Sequence, residues 1–509
     1  MKNYLSFLIL VLFASSCSST KKTTVGGSDD GKITINFVQI NDVYEIAPLN
    51  GGKDGGMARV ATIKKKYLQD NPNTYLVMAG DFLSPSVYNS LPYEGKSIRG
   101  RQMVEAMNAA GMDIAVFGNH EFDIKEAELQ ARINESKFQW ISSNSFHKQG
   151  ENISAFEKNK VPVPEYWIKT YSDADGTTFK VGYLGLNIPF TKTAYVTYTD
   201  PLEAAKKMYA KIRDSVDAII AITHQAIQDD EILARELPGL ALIIGGHEHD
   251  QRFKKVGKIY ITKALANAKS AYIIKMTFNK KNNKLSVTPA LEMLSENVAL
   301  DSATNGVVQK WVTIANNSYA ALGFDAGKIV MSNSEPLDGR ETEIRSHPTN
   351  LTKMIIKSMQ LASKQADVVI MNSGSIRVDD VLQMPLTQYD ILRTLPFGGG
   401  VKEVDMKGSL LVQVLESGVK NYRSGGFLQY NENLRRDDAS GKWMLNETAI
   451  DEGKIYHVAL TEFLLTGGEA NLGFLKPDNA AITKVYELPA IDIRSDIRKV
   501  IMYYLENQK

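Results

Sequence analysis

A heptad reading Phe117-Gly118-Asn119-His120-Glu121-Phe122-Asp123 follows Asp113-Ile114-Ala115-Val116, an apolar run that predicts a buried β-strand. The polar side chains of the heptad therefore emerge where the strand ends. Asn119 and His120 should lie at the carboxyl end of the strand, with Asp123 one turn further on. Ligands bind at that edge of an open α/β sheet. Taken alone, the heptad is either a capped turn or part of a binding site.

The same pattern, an apolar strand that ends in a polar side chain, occurs four more times. The strands cover residues 33–40, 74–79, 218–223 and 240–244. They are followed by Asn41-Asp42, Gly80-Asp81, His224 and Gly245-Gly246-His247-Glu248-His249. Of the seven histidines in the chain, four stand at these strand ends, namely His120, His224, His247 and His249. Histidines with purely structural roles would not collect at these positions.

These strand ends offer a mixed set of oxygen and nitrogen ligands, which suits borderline divalent ions such as zinc or manganese. The set consists of Asp42, Asp81, Asn119, His224, His247 and His249. Six ligands are more than one tetrahedral site needs. One carboxylate can bridge two ions about 4 Å apart, the arrangement used in phosphate ester hydrolysis. The glycines before Asp81, Asn119 and His247 would let the backbone approach the ions closely.

The length and composition indicate an ordinary globular protein with more than one domain. The chain has 509 residues, which exceeds a single hydrophobic core, with 43% apolar and 23% charged residues. A formal net charge of +1 provides no general field that would attract nucleic acid or an acidic membrane. We therefore expect no nucleic acid polymer as a partner, and no partner protein is evident. A phosphate would have to be recognised by a local site.

The first 17 residues have the features of an export signal. Lys2 is followed by a short apolar run over residues 5–14 and by small residues before Cys17, the only cysteine. The run is too short to span a bilayer. The segment resembles the lipobox of bacterial lipoproteins, which implies a lipid on Cys17 and attachment to a bacterial membrane, on its periplasmic or cell-surface side, through this anchor alone. A plain cleaved signal is the alternative, and residues 18–31 are predicted to be a flexible tether.

In their order along the chain, the motifs resemble the calcineurin-like metallophosphoesterases, and the heptad with Gly55-Gly56-Met57-Ala58-Arg59 resembles the 5′-nucleotidase family within them. The resemblance implies a phosphoesterase domain over residues 32–300, built as an α/β protein, α+β overall, with a β-sandwich flanked by helices. It also implies two metal ions: Asp42, Asp81 and His249 would hold the first, and Asp81, Asn119, His224 and His247 the second. The ions would activate a water as nucleophile, while His120, oriented by Asp123, acts on the phosphate or the leaving oxygen.

The second half carries further blocks of the same family. A helix over residues 301–324 is predicted to join the domains, and residues 325–509 resemble the smaller, mixed α/β 5′-nucleotidase C-terminal domain. By this resemblance Asn372 would contact the base or ribose and Arg377 the phosphate, to which its two-pronged guanidinium is suited. Phe427 and Phe474 are candidates to stack on the base. For each of them the alternative is an ordinary core residue.

Two positions depart from the family pattern. Tyr44 stands where the family has a histidine ligand, and a phenol is a poorer ligand at neutral pH than imidazole. Tyr44 is therefore either a weak ligand or a packing residue. In the segment Arg345-Ser346-His347-Pro348-Thr349-Asn350-Leu351 the second arginine and the glutamate of the family are absent.

The interpretation we favour is an exported hydrolase that releases phosphate from nucleoside monophosphates. One alternative keeps the metal chemistry but changes the substrate to a cyclic nucleotide, a UDP-sugar or another small phosphate ester. The other is a nucleotide-binding lipoprotein whose active site has partly decayed. The departures at positions 44 and 347 favour decay, whereas the retained histidines and Asp123 favour catalysis.

Overall fold

The computed structural model describes residues 30–190, 193–489 and 491–507. The predicted export signal, Cys17 and most of the predicted tether lie outside the described residues. The residues before helix Ser302–Ala321 are called the first half of the chain, and those after it the second half.

The first half is built on strands that form two six-stranded sheets. In chain order they are β1 (Lys32–Ile40), β2 (Thr74–Met78), β3 (Ile114–Val116), β4 (Gln139–Ile141), β5 (Tyr166–Ser172), β6 (Thr178–Asn187), β7 (Ala218–His224), β8 (Leu242–Gly246), β9 (Arg252–Val256), β10 (Ile259–Lys263), β11 (Ser270–Asn279) and β12 (Lys284–Met293).

The two sheets pack face to face as a sandwich. One has the order β12-β11-β1-β2-β3-β4 and the other β5-β6-β7-β8-β10-β9. Their centres are parallel: β1, β2, β3 and β4 run in one direction, as do β6, β7, β8 and β10. Phe37 of the first sheet and Ile220 of the second belong to one buried cluster between the sheets. The predicted sandwich is thus confirmed.

Helices cover the outer faces of the sandwich and most of the second half. In chain order they are α1 (Met57–Asp70), α2 (Arg101–Ala110), α3 (Glu126–Glu135), α4 (Pro201–Ile212), α5 (Ile227–Glu236), α6 (Ser302–Ala321), α7 (Glu341–Ile344), α8 (Asn350–Ala362), α9 (Gln388–Thr394), α10 (Gly408–Lys420) and α11 (Ile497–Glu506). Because α4 and α5 cover the outer face of the second sheet, β7 is buried on both faces, which explains the apolar run over residues 218–222.

The second half contains a five-stranded mixed sheet. Its strands are β13 (Val368–Asn372), β14 (Val401–Lys407), β15 (Leu428–Tyr430), β16 (Ile455–Thr461) and β17 (Ile482–Tyr486), in the order β15-β13-β16-β14-β17. Shorter strands lie around these sheets: Pro92–Tyr93, Lys96–Ser97, Ser145–Gln149, Asn152–Ser154, Glu157–Lys158, Val161–Pro162, Val196–Tyr198, Ile329–Met331, Leu337–Asp338, Val381–Leu382, Leu386–Thr387, Leu434–Arg436, Trp443–Leu445 and Thr448–Ala449.

Helix α6 connects the two halves and packs in an apolar cluster that includes residues of both. Asp301 caps its N-terminus by accepting a hydrogen bond from the Thr304 N–H at 3.0 Å. Trp311 is fully buried and donates its ring N–H to Glu105 of α2 at 3.0 Å. Tyr319, near the other end of the helix, is buried in the same apolar cluster, which continues into the second half as far as Leu505. We call this cluster the shared core.

Across the described ranges, we find no helix with both the length and the apolar character needed to cross a bilayer.

Candidate metal centre and active site

The predicted metal ligands lie at the carboxyl ends of neighbouring parallel strands. Asp42 follows β1, Asp81 follows β2 and Asn119 follows β3, all in the first sheet. His224 is the last residue of β7, and His247 comes directly after β8 in the second sheet. The sandwich therefore brings side chains from both sheets to one edge, as the sequence pattern predicts.

Several of these residues have a strained backbone. Asp42, Asp81, His247 and His249 have φ angles of 53°, 56°, 99° and 60°, in the left-handed region that side chains other than glycine rarely adopt. Such strain persists where the surrounding structure over-determines it, and it is concentrated at functional sites. Strand periodicity alone does not reveal this feature.

Asp42, Asp81 and His249 form a compact cluster that matches the predicted first metal site. Each offers one ligand atom, and these atoms all lie within 4.8 Å of one another. His249 Nε2 lies 3.4 Å from Asp42 Oδ1. His224 adjoins the cluster, with its Nε2 3.0 Å from Asp81 Oδ2 and 3.8 Å from Asp42 Oδ1.

The charges and unpaired atoms of the cluster fit a divalent cation. Within the described part of the chain, Asp42 Oδ1 is buried without a hydrogen-bond partner, and His224 Nε2 faces the carboxylates of Asp81 and Asp42. Burial opposes a charge on His224, yet the carboxylates of Asp81 and Asp42 raise the pKa of His224 to about 9. A buried space that favours a cation this strongly, lined by carboxylate and imidazole ligands, suits zinc or manganese.

His247 and Asn119 line the cavity in front of this cluster. The ring of His247 lies edge-on to that of His224, with centroids 5.3 Å apart. Burial and the neighbouring His224 lower the pKa of His247 to about 3, so its imidazole is neutral, the form that binds metals. The assignment of Asn119, His224 and His247 to a second ion stays a prediction.

The glycines beside the ligands make room for other ligand side chains. A Cβ atom on Gly118 would lie 2.1 Å from Asp81 Oδ1, and one on Gly80 would lie 2.6 Å from His224 Nδ1. From the sequence, these glycines were expected to permit a close approach of the backbone to the ions. The structure shows that they permit dense packing of the predicted ligands against one another, and the approach of the backbone to the ions stays a prediction.

Glu121 fixes the two loops that carry Asp81 and Asn119, a role that the sequence motifs do not reveal. Its buried carboxylate accepts backbone N–H bonds from Asp81 at 2.9 Å, Phe82 at 2.7 Å, Leu83 at 3.0 Å and Gly118 at 2.6 Å. The only sequence signal is an acidic residue next to Phe122 inside the heptad.

Tyr44 points its hydroxyl into the cluster. The hydroxyl lies 2.8 Å from His249 Nε2 and donates to Asp81 Oδ2 at 3.3 Å. Burial, reinforced by the negative charge of Asp81, raises the pKa of Tyr44 well above its ordinary value. The phenol therefore stays protonated and serves as a hydrogen-bond donor at the position where the family has an imidazole.

We expect Tyr44→His to raise the affinity of the first site for its metal ion by about tenfold, equivalent to about 1.4 kcal/mol. The reason is that a neutral imidazole replaces a protonated phenol beside Asp42, Asp81 and His249. Metal content measured after dialysis against increasing chelator would show the gain. Tyr44→Phe is the matched control, since it removes only the hydroxyl and adds no ligand. Equal retention of metal in the two variants would contradict the expectation.

His120 and Asp123 form the predicted pair. Both lie in a short 3₁₀ turn, His120–Asp123, and His120 Nδ1 is 2.6 Å from Asp123 Oδ2. The backbone N–H of His120 donates to Asp81 Oδ1 at 2.8 Å, which fixes the turn against the cluster of Asp42, Asp81 and His249. Arg377 lies against the ring, with its Nη2 3.3 Å from Nε2 and 3.4 Å from Nδ1 of His120.

The second half contributes positively charged arginine side chains to this site. Arg377 lies against His120, and Arg345 lines the same cavity. Glu341 lies between the two arginines: it pairs with Arg345 and is 3.7 Å from Arg377 Nη1. Arg377 therefore lies close to His120, and its contact with phosphate stays a prediction.

The other predicted substrate contacts are not brought to this cavity. Asn372 is buried, donates to Glu469 Oε2 at 2.8 Å and accepts from Ser375 at 2.7 Å. Phe427 is half-buried beside Tyr422, with ring centroids 6.0 Å apart, and Phe474 packs against the core of the second half. Neither phenylalanine is among the described residues that line the cavity. Their stacking roles stay predictions.

Two cavities meet at His120 and Arg377. The larger, of about 490 Å³, is lined by the predicted metal ligands His247 and His249 on one side and by arginines of the second half on the other. The smaller, of about 410 Å³, lies on the other side of His120 and is lined by Ser84, Arg99 and the exposed ring of Phe397, among others. The site is therefore built by both halves.

Comparison with known proteins agrees with this architecture. Residues 35–251 match the calcineurin-like phosphoesterase family, and residues 329–474 match the family described as 5′-nucleotidase, C-terminal domain. A 5′-nucleotidase of Homo sapiens is 24% identical over 468 residues, covering 82% of this chain and 78% of that protein. The trifunctional nucleotide phosphoesterase protein YfkN of Bacillus subtilis is 25% identical over 86% of this chain and 32% of its own length.

Solved structures share the two-domain fold. The crystal structure of the 5′-nucleotidase precursor from Thermus thermophilus superposes with a TM-score of 0.71 at 21% identity, covering 94% of this chain and 97% of that one. A putative 5′-nucleotidase from Staphylococcus aureus superposes with a TM-score of 0.59 at 14% identity, covering 93% and 97%. At these identities the likeness establishes the fold.

Proposed function

The chain belongs to the 5′-nucleotidase family of calcineurin-like phosphoesterases and is a metal-dependent phosphoric ester hydrolase, and on this premise we propose that it releases phosphate from nucleoside 5′-monophosphates with two divalent cations. One observation carries the proposal. Arg377 of the second half lies 3.3 Å from His120, directly beside the cluster of Asp42, Asp81 and His249. A phosphate held by Arg377 would thus lie next to both the ligands and the proposed acid.

In this proposal the bound cations would supply Lewis acidity toward the phosphoryl group and its attacking water. The residues of the chain do the rest. Arg377 and Arg345 hold the phosphate oxygens, and Asp123 holds His120 Nδ1. As water adds to phosphorus and the bond to the 5′ oxygen breaks, His120 Nε2 gives its proton to the departing oxygen, and the proton that the attacking water loses passes to solvent and replaces the one given by His120. The nucleoside would extend over the second half toward Phe427, whose carbonyl accepts from the Ser373 N–H at 2.8 Å, with Phe474 and Asn372 as further contacts.

A second candidate is hydrolysis of a larger ester, such as a UDP-sugar or a cyclic nucleotide. The cavity of about 410 Å³ beyond His120 favours it. In an in-line displacement the leaving group departs away from the attacking water, and His120 borders both cavities. Arg99, Arg377 and Phe397 line the smaller one, which offers room, positive charge and an aromatic surface to a substantial leaving group.

A substrate panel with and without added manganese or zinc would separate the candidates. The panel would contain AMP, UMP, a cyclic nucleotide, UDP-glucose and p-nitrophenyl phosphate. The highest kcat/KM with a nucleoside monophosphate would support the proposal, and the highest with UDP-glucose or the cyclic nucleotide would support the second candidate. Binding of nucleotide by calorimetry without turnover of any compound would indicate a binding lipoprotein with a decayed site.

We further propose that the protein is exported and held at a bacterial membrane by a lipid on Cys17. The support is the order of Lys2, the apolar run and the small residues before this cysteine. An anchor on a tether of polar residues would leave the enzyme free to meet nucleotides outside the cytoplasm.

A further inference from the structure

A carboxylate from the second half contacts a metal ligand of the first half. Asp379 Oδ2 is paired with Nδ1 of His249, the ring nitrogen that does not face the cluster. Nε2 of the same ring lies 3.4 Å from Asp42 Oδ1 and 2.8 Å from the Tyr44 hydroxyl. The two nitrogens therefore have separate tasks: one faces the cation site and the other is fixed by Asp379.

Asp379 is held firmly enough to act on His249. Its other oxygen, Oδ1, accepts the Glu341 backbone N–H at 2.6 Å. Its φ of 36° lies in the strained left-handed region, so the loop is bent to bring this carboxylate across the boundary. Both partners are largely buried, at 16% exposure for His249 and 17% for Asp379. A charged contact that is shielded from water in this way is directional and strong.

We infer that Asp379 is a positioning residue that orients His249 for the first metal ion, so that this metal site is completed only by the second half of the chain. The physical basis is general: a metal-binding histidine usually donates its second ring N–H to a carboxylate, which fixes the tautomer and the ring orientation. What this chain adds is that the carboxylate comes from the other half. The inference rests on the proposed metal site, and it goes further in making the affinity of the first ion depend on one side chain of the second half, Asp379.

The neighbouring residue provides a matched control. Asp380 also crosses the boundary, where it pairs with Lys269, but it does not touch His249. Asp380→Asn therefore removes an ion pair between the halves without removing the partner of His249. Asp379→Asn keeps an oxygen that can accept a hydrogen bond but loses the charge, and Asp379→Ala loses both.

The experiment measures binding of manganese and zinc, by competition with a chromogenic chelator and by elemental analysis after dialysis, on the full-length wild type and the three variants. We expect Asp379→Ala to lower the affinity for one of the two ions by about 10–100-fold. The affinity of Asp379→Asn should lie between those of Asp379→Ala and the wild type, and that of Asp380→Asn should match the wild type. In the cobalt-substituted protein, Asp379→Ala should also change the visible absorption of one site only. Circular dichroism would establish that each variant is folded.

Equal loss of metal in Asp379→Ala and Asp380→Asn would overturn the inference, because the effect would then come from docking alone. Unchanged affinity in Asp379→Ala would overturn it as well, while leaving the proposed function intact. If the wild type itself bound no divalent ion, the proposed function would fail, and this outcome is distinguishable from the other two.

Discussion

His120→Ala should lower kcat by roughly 10²–10⁴-fold, the range for a lost general acid or base, while metal content stays near that of the wild type. The side chain lines the cavity and faces Arg377, but its ring is not part of the cluster formed by Asp42, Asp81 and His249. Its removal should therefore slow the chemical step without emptying the cation site. Single-turnover kinetics and elemental analysis on the same preparation would measure both quantities.

Asp123→Asn provides the control for orientation. The amide keeps the size of the side chain, so the 3₁₀ turn should persist, but it holds His120 Nδ1 without a charge. We expect a smaller loss of kcat than in His120→Ala, and no further loss when the two changes are combined. Full activity in His120→Ala would remove the residue from the chemistry, and loss of metal in that variant would show that it acts through the cluster.

Glu121→Ala should lower the free energy of unfolding by about 3–5 kcal/mol, because four backbone N–H groups lose their acceptor in a buried site. The donors belong to the loops that carry Asp81 and Asn119, so metal affinity should fall together with stability. Urea unfolding in the presence of chelator would measure the first effect, and metal titration the second.

Glu126→Ala is the matched control for this change. Glu126 is also an acidic residue near the heptad, but its side chain is 45% exposed and pairs with His147 at the surface, so its loss should cost less than about 1 kcal/mol. The loss of stability in Glu121→Gln should lie between the losses in Glu121→Ala and Glu126→Ala, because the amide oxygen can still accept some of the four hydrogen bonds. Similar stability in Glu121→Ala and Glu126→Ala would show that water replaces the carboxylate.

The strands that carry the site could be predicted closely, because their signal is local. The strand predicted over residues 218–223 is apolar as far as Ile222, since both faces of β7 are buried, and the observed strand ends at His224, one residue after the predicted end. The helix predicted over residues 301–324 is observed as Ser302–Ala321 for a similar reason, since Trp311 and Tyr319 mark its buried side.

What could not be predicted depends on contacts between distant residues. Nothing near Asp379 in the sequence indicates that its carboxylate reaches His249, because the contact exists only once the two halves are docked. The burial of Asn372 behind Glu469 has the same origin, since these residues meet only in the folded second half. The resemblance to a family supplied a role for Asn372 but could not show which neighbour occupies its amide.

The shared core has a consequence for how long the protein survives. Since one apolar cluster runs from Val38 through Trp311 to Leu505, unfolding of either half should expose apolar surface of the other, so the stabilities of the two halves are coupled. Cation binding then protects the whole chain by mass action, with about 2.7 kcal/mol at a free ion concentration of 100 times Kd. Degradation through the opened state tracks that equilibrium when closing is fast. Scarcity of zinc or manganese in the surroundings would therefore shorten the lifetime of the protein, including parts of the second half far from the cations.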